Sequence, residues 1–177
     1  MSSAVAPEPL SIAHADLVAG LDERQIARVA SLGRARIFRA KSMLCRAGEG
    51  ADSLLILREG CVDVTAPLVI LGETAPVRLE SLGSGATVGW CALVPPYTFA
   101  VDAAAATDVV TLAFRRDALA ELIADQPEVG LVLVRNAATA LRRRNVRLQA
   151  LWLMELQRVV DDVARRHGSA WTPHSSW

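Results

Sequence analysis

The residues of this chain that could make a catalyst or a metal site are few and scattered. Cys45, Cys61 and Cys91 stand far apart, with no Cys-x-x-Cys spacing and no nearby histidine. That pattern argues against zinc, an iron–sulfur cluster or a disulfide framework. His14, His167 and His174 lie outside the strand-rich middle of the chain, so they do not supply the clustered imidazoles a barrel metal site needs. No Gly-x-Ser-x-Gly, Walker loop or His-x-x-x-His occurs, and these are the short signatures of nucleophilic, phosphate and zinc chemistry. The expectation is no metal, no cofactor and no enzymatic activity.

One stretch has the composition of a binding loop. "VGWCALVPPYTF", residues 88–99, holds two prolines, three aromatic residues and a cysteine, but no charge. Its candidate ligand-pocket residues are Gly89, Trp90, Cys91, Ala92, Leu93, Pro96, Tyr97 and Thr98. Between Arg78 and Arg115 there is no Lys, Arg or His, whereas Glu80, Asp102 and Asp108 are negative. A phosphate in a semi-buried cleft needs charge-assisted hydrogen bonds, because desolvating it alone costs several kcal/mol, on the order of a buried unpaired ion. Arg46 and Arg58, on neighbouring strands, are the cations that could reach in. Trp90 and Tyr97 are large enough to fill the space themselves, and Pro95-Pro96 fixes two φ angles beforehand. Three readings follow: a self-filled, braced loop; a site for an uncharged aromatic effector stacked on Trp90; or a surface for another protein.

These residues need a scaffold, and the hydrophobic pattern supplies one. "LDERQIARVASLG" carries helix signals, with Asp22 as N-cap, Gln25 three residues on and Gly33 at the end. From Arg34 to Phe114 short alternating strands are separated by glycine turns, with a hairpin around Gly72-Glu73 and a break before "PLVIL". "RRDALAELIADQP" reads as a short helix stopped before Pro127, followed by a long helical stretch. The fold class expected is α+β: an antiparallel β-barrel or jelly roll with an N-terminal helix and a long C-terminal helix. The expected divisions are a flexible lead-in (1–16), the barrel with flanking short helices (17–127), a long dimerisation helix (128–166) and a flexible tail (167–177).

The run "GEGADSLLILREGCVDVTA" followed by "VRLESLGSGATVGW" resembles the cyclic-nucleotide-binding domain, the sensory half of catabolite-activator and Fnr type regulators. The resemblance rests on Gly48, Glu49, Asp52, Gly60, Val62, Val64, Leu82, Gly83, Gly85 and Gly89, taken together in this order. Nucleotide-binding members are expected to place a glutamate after the cassette glycine and an arginine some residues later. Here Trp90 takes the first position, and Tyr97 or Thr98 the second. The resemblance therefore implies a degenerate phosphate-binding cassette, and no ordinary cyclic AMP or cyclic GMP binding is expected. Gly89, Trp90, Leu93, Pro95, Pro96, Tyr97 and Asp102-Ala103 also resemble a stand-alone subgroup with a Gly-Trp-x-x-Leu-x-Pro-Pro-Tyr cassette. That subgroup implies an accessory role, with a multi-subunit redox enzyme as the partner; the analogy with gas-sensing relatives would place haem at His14.

In this family the C-terminal helix forms the dimer interface. "LQALWLMELQRVV" is apolar around much of its circumference and must bury the extra face. The expected homodimer interface comprises Leu141, Asn145, Leu148, Leu151, Trp152 and Leu156. Arg135, Arg142, Arg143, Arg144 and Arg147 read as a solvated face or as a contact for an acidic partner. "RVVDDVARRHGSAWTPHSSW" does not supply the two helices and turn of a DNA reader, so no direct DNA binding is expected. Trp171 and Trp177 suggest docking, onto the domain itself or onto a partner. No secretory signal and no membrane-length apolar run is present, which points to a cytoplasmic, reduced setting. The function expected is a dimeric regulatory or accessory protein of this fold, working through protein contacts and an uncharged effector; the alternative is a cyclic-nucleotide or other small-ligand sensor.

Overall fold

The structure, a computed structural model, describes residues 12–70 and 73–167. Trp171, Trp177, His174 and the tail to which they belong lie outside the described residues, as do Leu71 and Gly72. The chain forms two compact units, Met1–Thr139 and Ala140–Trp177.

In the first unit, α1 (Glu23–Ser31) begins as its sequence predicts. The Asp22 carboxylate accepts from the Gln25 N–H at 2.9 Å, and the Gln25 side chain accepts from the Asp22 N–H at 3.0 Å. Two otherwise orphaned backbone donors are thereby satisfied. Eight strands follow: β1 (Arg34–Phe38), β2 (Met43–Cys45), β3 (Ser53–Glu59), β4 (Val62–Ile70), β5 (Glu73–Leu82), β6 (Thr87–Val88), β7 (Asp102–Ala105) and β8 (Val109–Arg115). They pair as two antiparallel four-stranded sheets, ordered β1-β8-β3-β6 and β2-β7-β4-β5, which is the jelly-roll arrangement expected.

The core lies between the sheets. Phe38, Leu55, Leu57, Val88 and Val109 come from one, and Cys45, Val62, Ala103 and Ala105 from the other. Period-two alternation explains the selection: along β7 the burial pattern alternates, so Ala103 and Ala105 face inward while Asp102 and Ala104 do not. Turn glycines close the corners. Gly60 has φ +86°, and an added Cβ would lie 2.2 Å from the Asp108 carbonyl, so only glycine fits there.

Three sequence expectations shift. The break expected before "PLVIL" is absent, because β4 runs through Pro67, which faces Pro76 on β5. Pairing with β7 ends at Thr65, so at Pro67 β4 is paired on one side only, with β5, and a proline is tolerated on such an edge. The lead-in drawn to residue 16 ends earlier. Ile12 is 2% exposed and Ala15 is buried, the Asp16 N–H donates to the Gly85 carbonyl at 3.1 Å, and Thr87 hydrogen-bonds the Asp16 carboxylate. The apolar Ile12-x-x-Ala15-x-Leu17-Val18 pattern thus seats this segment on the barrel.

After β8 come α2 (Arg116–Asp125) and α3 (Pro127–His167), with Pro127 at the first helical position, where its missing N–H costs nothing. The start of α3 belongs to the first unit. Val129, Leu133 and Ala137 are fully buried, and Asn136 donates to the carbonyls of Leu17 and Ala19. Gly130 is required by proximity, since a Cβ would sit 2.7 Å from Ile123. In the second unit, α3 continues from Ala140 with its apolar residues largely exposed.

Candidate functional site

The uncharged loop leaves β6 at Gly89, which has φ +87° and caps a 3-10 turn, Trp90–Leu93. Its Cα hydrogen points at β3: an added Cβ would lie 2.9 Å from the Ser53 carbonyl and 3.3 Å from the Phe99 ring. Glycine here lets two backbones meet, and the turn that follows drives Trp90 inward to 4% exposure, with Ala92 also buried. Cys91 and Leu93 are half-buried on the alternate face.

Beyond the turn, Pro95-Pro96 is cis and Tyr97 adopts φ +58°. The loop is then tied to the β2–β3 connection by backbone hydrogen bonds. The Gly48 N–H donates to Phe99 O at 2.8 Å, Phe99 N–H to Glu49 O at 2.9 Å, and Ala51 N–H to Tyr97 O at 2.6 Å, with Gly50 bridged to Thr98. Asp102 braces the same connection, its carboxylate accepting from the Ala47 N–H at 2.7 Å. The Gly48-Glu49 run therefore holds the cassette with its backbone.

A cation that the sequence reading missed stands beside the loop. The Arg116 guanidinium carbon lies 5.0 Å from the centroid of the Tyr97 ring, and the same guanidinium pairs with Asp52 at 3.4 Å. The Arg116 N–H also donates to the Asp52 carbonyl at 2.9 Å. Arg116 opens α2, just past the cation-free interval, and only the fold carries α2 back to the cassette.

Of the two arginines expected to reach in, Arg46 stands where β2 enters the connection that holds the loop, and Arg58 lies along β3. Arg46 follows the inward Cys45 on β2 and is exposed, as strand alternation dictates. Arg58 is five residues along β3 from Ser53, roughly 16 Å at strand rise. There it lines a shallow cleft of about 310 Å³ with Ile12, His14, Ser84 and Gly85. His14 is thus a surface residue of that cleft.

Electrostatically the interior is quiet. Among the described residues the only buried polar side chains are Thr87 and Thr111. Burial pushes the Cys45 thiol up to about 12, with the Ala103 backbone hydrogen bond working the other way. No group of three or more His, Cys, Asp or Glu residues placed to hold a metal ion occurs among the described residues. No helix among them is long and apolar enough to cross a membrane.

A jelly roll with a glycine-entered cassette between β6 and β7 and helices at both ends defines a cyclic-nucleotide-binding fold. Residues 35–126 match the family model described as cyclic nucleotide-binding domain, and the chain belongs to that family. Catabolite activator protein from Thermus thermophilus superposes with a TM-score of 0.65 at 24% identity, covering 81% of this chain and 63% of that one. A cyclic nucleotide-binding domain from Methylobacillus flagellatus KT gives 0.65 at 20% identity, covering 80% and 82%. In sequence, the chain is 33% identical over 143 residues to Glutaminase 2 of Bradyrhizobium diazoefficiens. That match covers 81% of this chain but only 22% of the glutaminase.

Proposed function

We propose that this chain is a dimeric regulatory or accessory protein whose cassette has exchanged phosphate binding for a self-braced loop, and that it acts through protein contacts. The observation that carries the reading is the exposed apolar surface of α3 in the second unit. Trp152 is 69% exposed, and Leu153, Met154, Leu156, Val159, Val160 and Val163 are exposed beside it. An unpartnered patch of this kind marks an association surface. A second copy takes one face of the helix, and the remaining face serves a partner.

The cassette supports the same reading. Trp90, at the position where the family resemblance expects the ribose-binding carboxylate, is buried and uncharged, and the interior around the core offers no charge to a cyclic phosphate. The similarity to a fifth of a glutaminase supports a module that serves an enzyme larger than itself. The stand-alone subgroup resemblance points to a multi-subunit redox enzyme as that partner. Catalysis within this chain forms no part of the proposal.

One observation favours the sensor alternative. Arg116 is a cation at the mouth of the cassette, stacked on Tyr97, and release from Asp52 would free it for an anion.

Titration calorimetry with cyclic AMP and cyclic GMP separates the two. The accessory reading expects no saturable heat; binding that disappears in Arg116→Ala would install the sensor instead. Affinity purification of the tagged chain from its native lysate tests the partner, and recovery of the homodimer alone would remove the accessory role.

A further inference from the structure

Seven of the chain's 19 lysine and arginine residues, and no aspartate or glutamate, fall between Arg24 and Gly48. The formal net charge of the whole chain is zero, so this run concentrates positive charge on α1, β1 and β2. All seven residues are exposed. Among the described residues only Arg39 of the seven is ion-paired, with Asp108.

β1 is the outermost strand of its sheet, paired with β8 along its length and with no strand on its other side among the described residues. Antiparallel pairing uses alternate residues, so the remaining N–H and C=O groups point outward along a free edge. Alternation also sorts the side chains. Arg34 and Arg36 share the face of Phe38, with the Arg36 guanidinium carbon 4.8 Å from the Phe38 ring centroid. Ala35 and Ile37 take the opposite face, where Ile37 is 69% exposed beside its β8 partner Val110. The edge thus offers backbone hydrogen bonds, flanked by two cations on one face and an apolar side chain on the other.

A second copy of β1 laid along this edge would set arginine against arginine, and like charges side by side in a ladder are destabilising. Edge charge of this kind guards a sheet against self-pairing, and the same charge selects a strand of opposite sign. An extended segment with acidic residues at every second position sets a carboxylate beside each of Arg34 and Arg36, in reach of a bidentate pair. Its intervening apolar residues cover Ala35 and Ile37. The surrounding cations attract such a segment before contact. A nucleic acid would meet the same charge but leave the backbone edge unpaired and Ile37 uncovered.

We infer that the free edge of β1 is a docking strand for an extended segment of a partner protein in which acidic and β-branched residues alternate. This rests on the protein-contact reading above and gives it a second surface and a partner chemistry.

The probe is a fluorescein-labelled peptide, Thr-Glu-Val-Glu-Val-Glu-Thr, titrated against the full chain by anisotropy. Saturable binding is expected, with slowed amide exchange confined to β1. Arg34→Glu combined with Arg36→Glu should weaken binding by about tenfold or more. A second peptide leaves the protein untouched: Thr-Glu-Pro-Glu-Pro-Glu-Thr keeps the charge but lacks the N–H groups a ladder needs, and should lose a similar factor. Equal binding of the proline peptide, protection outside β1, or tighter binding of duplex DNA or phosphatidylserine vesicles through the same two arginines overturns the assignment. No binding of the acidic peptide, while a partner is still recovered through α3, removes this surface alone. Loss of every partner while the peptide still binds instead removes the accessory reading.

Discussion

Arg116 stacks on Tyr97 with its guanidinium carbon 5.0 Å from the ring centroid, joining the start of α2 to the tip of the cassette. Tyr97 is 38% exposed and the Asp52 partner is on the surface, so the contact contributes modestly. A double-mutant cycle with Tyr97→Leu and Arg116→Met should give a coupling of about 0.5–1 kcal/mol in urea denaturation. A coupling indistinguishable from zero would mean that the cassette tip and α2 are energetically independent.

Gly89→Ala meets two penalties together. The αL conformation costs a non-glycine residue about 1–2 kcal/mol, and the new methyl group would press the Ser53 carbonyl at 2.9 Å. A loss of about 2 kcal/mol or more in thermal or chemical unfolding is expected. Gly48→Ala, where φ is +86° but no atom lies within 4 Å of the added Cβ, should lose only the conformational part. Equal losses at the two sites would show that close approach at Gly89 contributes nothing.

Cys45 is buried and its thiol is held up to about 12 by desolvation. Thiolate is the reactive form, so at pH 8 Cys45 should resist alkylation in the folded protein. Cys61 and Cys91, both half-buried, should label first. Mass-spectrometric mapping of labelled sites checks this; modification of Cys45 at the rate of the other two would contradict its burial.

Asp108 accepts from the Ala40 N–H at 2.8 Å and from Arg39 at 2.7 Å, and these hydrogen bonds hold its carboxyl below the usual carboxylate value. A depressed folded-state value stabilises the fold above the unfolded value near 3.8, and that contribution fades as pH falls through the lower folded value. The melting temperature of Asp108→Asn should therefore trail the parent by a constant margin from pH 7 to about pH 4, and the gap should close below that. A gap that widens on acidification would have the wrong sign.

Much of the molecule follows from local chemistry that the sequence alone carries. The Asp22–Gln25 capping box and the alternation in β7 each depend on neighbours a few residues away. So does the absence of any cation between Arg78 and Arg115. These features determined the jelly-roll class and an uncharged loop where a phosphate site would lie. Tertiary structure decided what depends on separation in space. Only folding brings Arg116 to Tyr97, carries Arg58 to the far end of β3 and seats Ile12 and Ala15 on the barrel. It also buries Val129, Leu133 and Ala137 with the first unit, so the boundary falls at Thr139–Ala140, inside a helix whose sequence shows no break there. Helix periodicity reports which face is apolar, whereas what covers that face is set by packing partners distant in the chain.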